Sequence, residues 1–464
     1  MTVTFVPFPP SPDGSEDDNS SSDFFKARPS AHSASNHGLA TPPREAQLVD
    51  LRSCPPQLSG PAVAQPKTLA SVVAVIGVGY VGYQLVMAFA KAYSVIAYDV
   101  DQGRLNQVSK TETNPNICYT SNPKAIADAT HFLVSVPTRL HHDNTVDTQH
   151  LESAISLVAK YARPGSTVII ESSVAVGMTR QLIREVMRTK GLKAGMSPER
   201  VDPGRVKPAF ETIPKIISGL DDIVPGSLAS IHELYQEIFE HLVVVSSPEV
   251  AEMTKLYENC QRMVCIAHAN EMADACHMIG INALEVSTAA ATKPFGYQPY
   301  SPGLGVGGHC IPVNPYYLLT NSEFPLLQAA TEKMAARPSR MGDRVMRKYL
   351  KQYQSQSAQR SDRTRVLVVG VGFKRGQSVL SNSPALSLVR HLLSEWDAYV
   401  AFADPLVSAE AVPFCPRLDE KTQWSKQSLE EFDVVIVAVD QVGLDLAVLD
   451  RLEGVLVESF VKCC

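Results

Sequence analysis

Residues 72–90 (VVAVIGVGYVGYQLVMAFA) limit what this chain can fold into more than any other stretch. The run is almost wholly apolar and about as long as a membrane span, but Gly77, Gly79 and Gly82 interrupt it. The residues before the glycines are β-branched (Val72, Val73, Val75, Ile76), so the pattern predicts a buried strand, a tight turn and a helix. About 20 residues after Gly79, Asp99 closes the next predicted strand. In a dinucleotide fold the first glycine makes the turn, the second lets backbone approach the pyrophosphate, and the third seats helix on strand. Asp99 would accept hydrogen bonds from ribose hydroxyls and disfavour a 2′-phosphate, so NAD is expected rather than NADP. The candidate cofactor contacts are Gly77, Gly79, Tyr80, Val81, Gly82 and Asp99, with Arg104 and Thr138.

The remaining chain reads as more than one domain. Residues 1–68 mix Ser, Pro, Asp, Gly and Asn without apolar periodicity and are expected to be a disordered low-complexity tail. Short apolar runs then alternate with helical patterns (Val95–Tyr98, Phe132–Val136, Val168–Ile170, Val243–Val245), predicting a mostly parallel sheet over 69–247. Over 248–350 strands cease, and Glu249–Ile279 carries helical spacing. Strand texture returns at Val366–Val369, Tyr399–Ala403, Val434–Val439 and Val455–Val457, with a helix over Ala385–Glu395, giving a second α/β unit over 351–464. Gln352–Thr364 suits the linker that enters it.

Lys plus Arg number 42 against 48 Asp plus Glu, a net charge of −6, which offers no global field for a nucleic-acid backbone. The nine cysteines are scattered without a CxxC pair, as in a reducing compartment. No basic region leads into an apolar core at the N-terminus, so a cytoplasmic, non-membrane protein is expected. His141-His142-Asp143 lacks further ligands and reads as a solvated loop, so no metal is expected. Cys463-Cys464 reads as a redox pair or a frayed end.

Three further clusters carry chemistry. In Ser301-Pro302-Gly303-Leu304-Gly305-Val306-Gly307-Gly308-His309-Cys310-Ile311-Pro312, glycines describe backbone exposed to a ligand with a thiol at its edge. Beside a nicotinamide, such a thiol suggests capture of an aldehyde and oxidation to a thioester. Lys255 and Asn259, four apart on the predicted helix, share a face and are able to aim an ammonium and an amide at one oxyanion. Ser197-Pro198-Glu199-Arg200-Val201-Asp202-Pro203-Gly204 holds a candidate carboxylate base.

Together with Val136-Pro137-Thr138, Glu171-Ser172-Ser173, Thr292-Lys293-Pro294-Phe295-Gly296, Gly372-Phe373-Lys374 and Ser383-Pro384-Ala385, these motifs resemble the UDP-glucose/GDP-mannose dehydrogenase family. The likeness spans nearly everything after the tail. It implies an α/β architecture of two Rossmann-like parallel-sheet domains joined by a central helical dimerisation region. It also implies NAD-dependent oxidation of a nucleotide-sugar C6 alcohol to a carboxylate in two hydride transfers, in a homodimer or larger homo-oligomer. The Ser-Pro-Glu-Arg loop and the Gly-Gly-His-Cys-Ile-Pro form look more like the UDP-N-acetylglucosamine and UDP-N-acetylmannosamine branch than like UDP-glucose 6-dehydrogenases.

By the same resemblance Cys310 is the nucleophile, Glu199 the base that activates water, and Lys255 and Asn259 the oxyanion holders. Gly305, Gly307 and Gly308 lie along the sugar, Phe373 and Lys374 contact the uridine diphosphate, and Lys293 supplies a cation to it. The chain departs from the family pattern in four places. Asn314 replaces an Asp shortly after the cysteine, and Ser173 replaces the Thr next to the nicotinamide. Val379 and Ser381 replace an Asp and an Arg, and Arg139 replaces a Pro. These departures keep a catalytically impaired nucleotide-sugar-binding homologue open as an alternative, beside a UDP-glucose 6-dehydrogenase.

Overall fold

β-branched and aliphatic runs form two sheets of buried strands. The computed structural model describes residues 71–202, 204–205, 207–357 and 363–461. The predicted tail, Pro203 and the Cys463-Cys464 pair lie outside the described residues.

The first sheet contains β1 (Val72–Ile76), β2 (Ser94–Tyr98), β3 (Ile117–Thr120) and β4 (His131–Val134). A small antiparallel hairpin, β5 (Arg139–Leu140) with β6 (Val146–Asp147), follows β4. Then come β7 (Thr167–Ile170), β8 (Lys193–Met196), β9 (Lys215–Gly219) and β10 (Leu242–Val244). The order across the sheet is β10-β9-β8-β7-β4-β1-β2-β3. Pairing is parallel except between β8 and β9, which run antiparallel. Alternate residues of the central strands fill separate cores on the two faces: in β1, Ala74 and Ile76 on one, Val73 and Val75 on the other.

The apolar stretch 72–90 resolves as β1, a turn and the helix Tyr80–Phe89. No helix among the described residues is long and apolar enough to cross a membrane. The expected long helix is Pro248–Met278, its proline at the first turn, where the missing N–H costs nothing. A second long helix, Pro325–Ser357, was not expected; it runs past Gln352, so the segment read as linker begins as helix. The two helices pack around Leu256, Met263, Leu327 and Met334.

The second sheet joins β11 (Arg365–Val369), β12 (Tyr399–Ala403), β13 (Val434–Val437) and β14 (Leu456–Ser459) in the order β12-β11-β13-β14, all parallel. The helix Pro384–Glu395 covers one face, its first turn capped by Ser383, whose Oγ accepts from the Leu386 N–H.

Candidate active site

Between β1 and β4 the strand order reverses, and there the carboxyl ends of the strands open a crevice in a doubly wound sheet. The turn after β1 sits on one side of it. Gly77 has φ +92°, and a Cβ there would lie 2.7 Å from the Ser135 carbonyl. At Gly82 a Cβ would fall 1.8 Å from the Gly77 carbonyl, so glycine lets the helix close on the strand. At Gly79 a Cβ would meet nothing within 4 Å. The helix that follows has no side chain capping its first N–H groups and no acidic residue in its first turn. Free N–H donors beside open space suit a pyrophosphate.

Asp99, at the end of β2, accepts from the Val78 N–H at 2.6 Å and the Asp101 N–H at 2.9 Å. Arg104 reaches the same turn, its Nε donating to the Val78 carbonyl at 2.9 Å. Val81 packs half-buried on the core, while Tyr80 is exposed, its hydroxyl 3.4 Å from the Asp202 carbonyl. Thr138, beyond β4, donates through Oγ1 to the Ser173 carbonyl at 2.9 Å, joining the ends of β4 and β7.

A second group gathers at the ends of β7 and β8, against the Pro248–Met278 helix. Lys255 Nζ stands 3.3 Å from Glu199 Oε2, both buried. Glu199 Oε1 also accepts from the Val201 N–H. One turn further along the helix, Asn259 Nδ2 donates to Asn314 Oδ1 at 2.5 Å, again with both residues buried. The Asn314 N–H donates to the Cys310 carbonyl at 2.9 Å, which brings the cysteine loop onto the same helix face. Burial pushes the Cys310 thiol above its ordinary pKa; the Lys255 cation opposes this and the Glu199 carboxylate adds to it. Arg262, seven residues beyond Lys255 and so on its face of the helix, also pulls the thiol downward.

Asn314 keeps one acceptor that an aspartate would offer, and spends it on orienting Asn259. Arg200 is held by Glu258 and by the Pro214 carbonyl, 2.8 Å from its NH1.

The sequence and the fold are similar to those of known proteins. The family models for the NAD binding domain and the central domain of the UDP-glucose/GDP-mannose dehydrogenase family match residues 71–242 and 249–335. The UDP-N-acetyl-D-glucosamine 6-dehydrogenase of Pseudomonas aeruginosa is 32% identical over 366 residues, covering 73% of this chain and 83% of that protein. The enzyme of the same name from Salmonella typhi is 30% identical, with 79% and 89% covered. The solved UDP-D-ManNAc dehydrogenase of Pyrococcus horikoshii superposes with TM-score 0.73 at 25% identity, over 84% of this chain and 99% of that one.

The chain belongs to the UDP-glucose/GDP-mannose dehydrogenase family. Like the family it is an NAD-dependent oxidoreductase, and the matched NAD binding domain contains the open turn at Gly79.

The glycine-rich loop of this family member has a packing role that its composition did not announce. A Cβ on Gly307 would lie 2.9 Å from Pro384 and 3.0 Å from Phe373, and one on Gly308, at φ +91°, 2.9 Å from the Phe373 ring. The Gly308 N–H donates to the Ser381 carbonyl, and Asn382 Nδ2 donates to the Gly308 carbonyl, each at 2.9 Å. The glycines at 307 and 308 therefore dock the cysteine loop on the C-terminal sheet's first loop; a Cβ on Gly305 would reach Pro384 at 3.2 Å. Phe373 serves that contact. Val379 and Ser381, two of the residues that depart from the family pattern, offer their backbone carbonyls, which accept from Phe373 and Gly308.

Lys374 pairs with Asp202, 3.0 Å from Oδ1. Lys293 is exposed and lies 5.2 Å above the ring of Phe295 in its own loop. Residue patterns missed Arg262, although its seven-residue spacing from Lys255 carries the signal. They also missed Lys215, Tyr235 and the Asp202–Lys374 pair, all joined across long sequence separations.

Proposed function

We propose that this chain oxidises the C6 alcohol of a UDP-N-acetylhexosamine to the uronate, with Cys310 as nucleophile. The reading rests above all on one juxtaposition: a shielded thiol within charge reach of the Lys255–Glu199 pair, beside the Asn259–Asn314 amides. The names of the relatives support the sugar class.

In this reading residues 69–247 bind NAD, 248–350 form the helical region with the cysteine loop, and 351–464 bind the uridine diphosphate. The glycine turn and Asp99 would hold NAD, with Arg104 bracing the turn, while Thr138 fixes Ser173 near the nicotinamide. When bound, NAD+ accepts the hydride removed in each of the two oxidations.

The Cys310 sulfur adds to the C6 aldehyde, its proton passing to the carbonyl oxygen, which Lys255 and Asn259 hold. Each oxidation also releases a proton to water, first from the C6 hydroxyl and then from the thiohemiacetal hydroxyl, and after the second the sugar is a thioester on Cys310. Glu199 takes a proton from water as that water adds to the thioester carbonyl. The C–S bond then breaks, and the sulfur leaves with the bonding electrons and recovers the proton from Glu199. Lys374 would turn from Asp202 to the diphosphate, and Lys293 would add a second cation.

Met278, Ile279, Ile281 and Phe295 are exposed apolar side chains of the helical region, which would be covered by a second copy. Sedimentation should then give a homodimer or larger assembly. Purified protein with NAD and a panel of UDP sugars should yield NADH with UDP-N-acetylglucosamine or UDP-N-acetylmannosamine. Ligand-induced thermal stabilisation without NADH would instead mark the impaired homologue.

A further inference from the structure

Beneath the Glu199 loop lies a buried charge that the mechanism above does not use. Lys215 and Glu171 are both buried, with Lys215 Nζ 2.5 Å from Glu171 Oε2. The Tyr235 hydroxyl donates to the other carboxylate oxygen. The ammonium's two remaining protons go to the Ser197 carbonyl at 3.3 Å and the Pro198 carbonyl at 3.2 Å, the two peptide groups immediately before Glu199. The Tyr235 and Phe239 rings flank Nζ at 5.9 and 5.7 Å.

The topology explains how a lysine reaches this point. β9 runs antiparallel to β8, so its first residue, Lys215, stands beside the carboxyl end of β8, where the loop leaves the sheet. The Glu171 carbonyl also accepts from the Glu199 N–H at 3.3 Å. Glu171 is followed by Ser172, whose Oγ donates to the Val136 carbonyl at 2.7 Å, and by Ser173. One node thus grips three strand ends around the crevice.

We propose that Lys215, neutralised by Glu171, whose carboxylate Tyr235 steadies by a hydrogen bond, is a positioning residue for Glu199. It clamps the two carbonyls before the base and so sets where the carboxylate meets the hydrolytic water. This inference rests on the thioester reading above. A clamp of this kind acts on the last step, in which water adds to the thioester and the sulfur departs, and leaves both oxidations and the binding of NAD largely untouched.

The test measures the lifetime of the acyl adduct on Cys310. Full-length protein is mixed with NAD and UDP-N-acetylglucosamine, quenched in acid and read by intact-protein mass spectrometry. Wild type is compared with Glu171→Gln/Lys215→Met, which removes both buried charges together; with Lys215→Arg, which keeps the charge beside Glu171; and with Glu199→Gln. The double variant should lengthen the adduct's life by roughly tenfold or more, and Lys215→Arg by a smaller factor. KM for both substrates and the first NADH burst should stay within about threefold of wild type.

If the double variant does not fold, Lys215→Arg decides. Adduct lifetimes within about twofold of wild type in the Lys215 variants, where Glu199→Gln prolongs the adduct, overturn the positioning role alone. No adduct even in Glu199→Gln overturns the thioester reading and this inference with it.

Discussion

At the end of β1 the chain runs Ile76-Gly77-Val78-Gly79, and at the end of β11 it runs Val369-Gly370-Val371-Gly372. The two turns are built alike. Gly77 and Gly370 both have positive φ, +92° and +77°. Their N–H groups donate to Tyr98 and Ala403, the last residues of the neighbouring strands, at 2.9 and 2.8 Å. The next N–H, from Val78 or Val371, donates to an aspartate just past that strand, Asp99 or Asp404.

The resemblance then ends. After Gly79 the helix begins at once with its N–H groups free, whereas after Gly372 a loop of its own chain intervenes before the helix at Pro384. A Cβ at Gly372 would lie 2.3 Å from the Gln377 carbonyl, while at Gly79 it meets open space. Asp404 is fully buried and accepts from Val371, Gly372, Leu406 and Gln441; Asp99 is partly exposed. A Gly-x-Gly turn with an aspartate is thus first a device for joining two parallel strands. It becomes a dinucleotide site only where the helix follows immediately and the space above the second glycine stays empty.

That contrast breaks or sharpens under mutation. Gly79→Val should leave the free protein folded yet weaken NAD binding by about 100-fold, near 2.7 kcal/mol, by placing a side chain in the space proposed for the pyrophosphate. Calorimetric titration checks it, and unchanged affinity would move the cofactor elsewhere. Gly372→Ala should do the reverse, destabilising the fold by about 1–3 kcal/mol in chemical denaturation with NAD affinity intact. Asp99→Asn should narrow the preference for NAD over NADP by roughly tenfold, and Asp404→Asn should leave that preference where it was.

A smaller effect concerns the thiol. Alkylation requires thiolate, and burial has already pushed the Cys310 pKa up, so its rate should climb at a higher pH than for an ordinary cysteine. Lys255→Met removes a cation that favours thiolate and should move the climb to still higher pH; Glu199→Gln removes an opposing anion and should move it lower. Superimposable iodoacetamide profiles would separate Cys310 from that charge pair.

Local signals made the first turn legible. β-branched residues, three glycines and Asp99 act over a short span, and each needs only its neighbours to do its work. The Pro248–Met278 helix and the Lys255–Asn259 face were equally plain, since helical spacing places both residues on one side. What escaped depends on contacts between distant segments. β8 and β9 are short, β8 contains Gly195 and β9 opens on Lys215, so neither has the apolar texture of a central strand. Lys215 reads as a surface lysine until Glu171, 44 residues away, supplies its counter-charge. For Gly307 and Gly308 the sequence reads a ligand-facing backbone, and their packing against Phe373 and Pro384, which follow β11, depends on a distant segment. The partner of Asn314 was hidden for the same reason, because Asn259 lies on another helix.

The decisive quantity is the number of NADH molecules formed for each UDP-N-acetylhexosamine consumed. Oxidation through Cys310 to the uronate predicts two, with no aldehyde released. One NADH accompanied by free aldehyde, or full activity in Cys310→Ser, would contradict it.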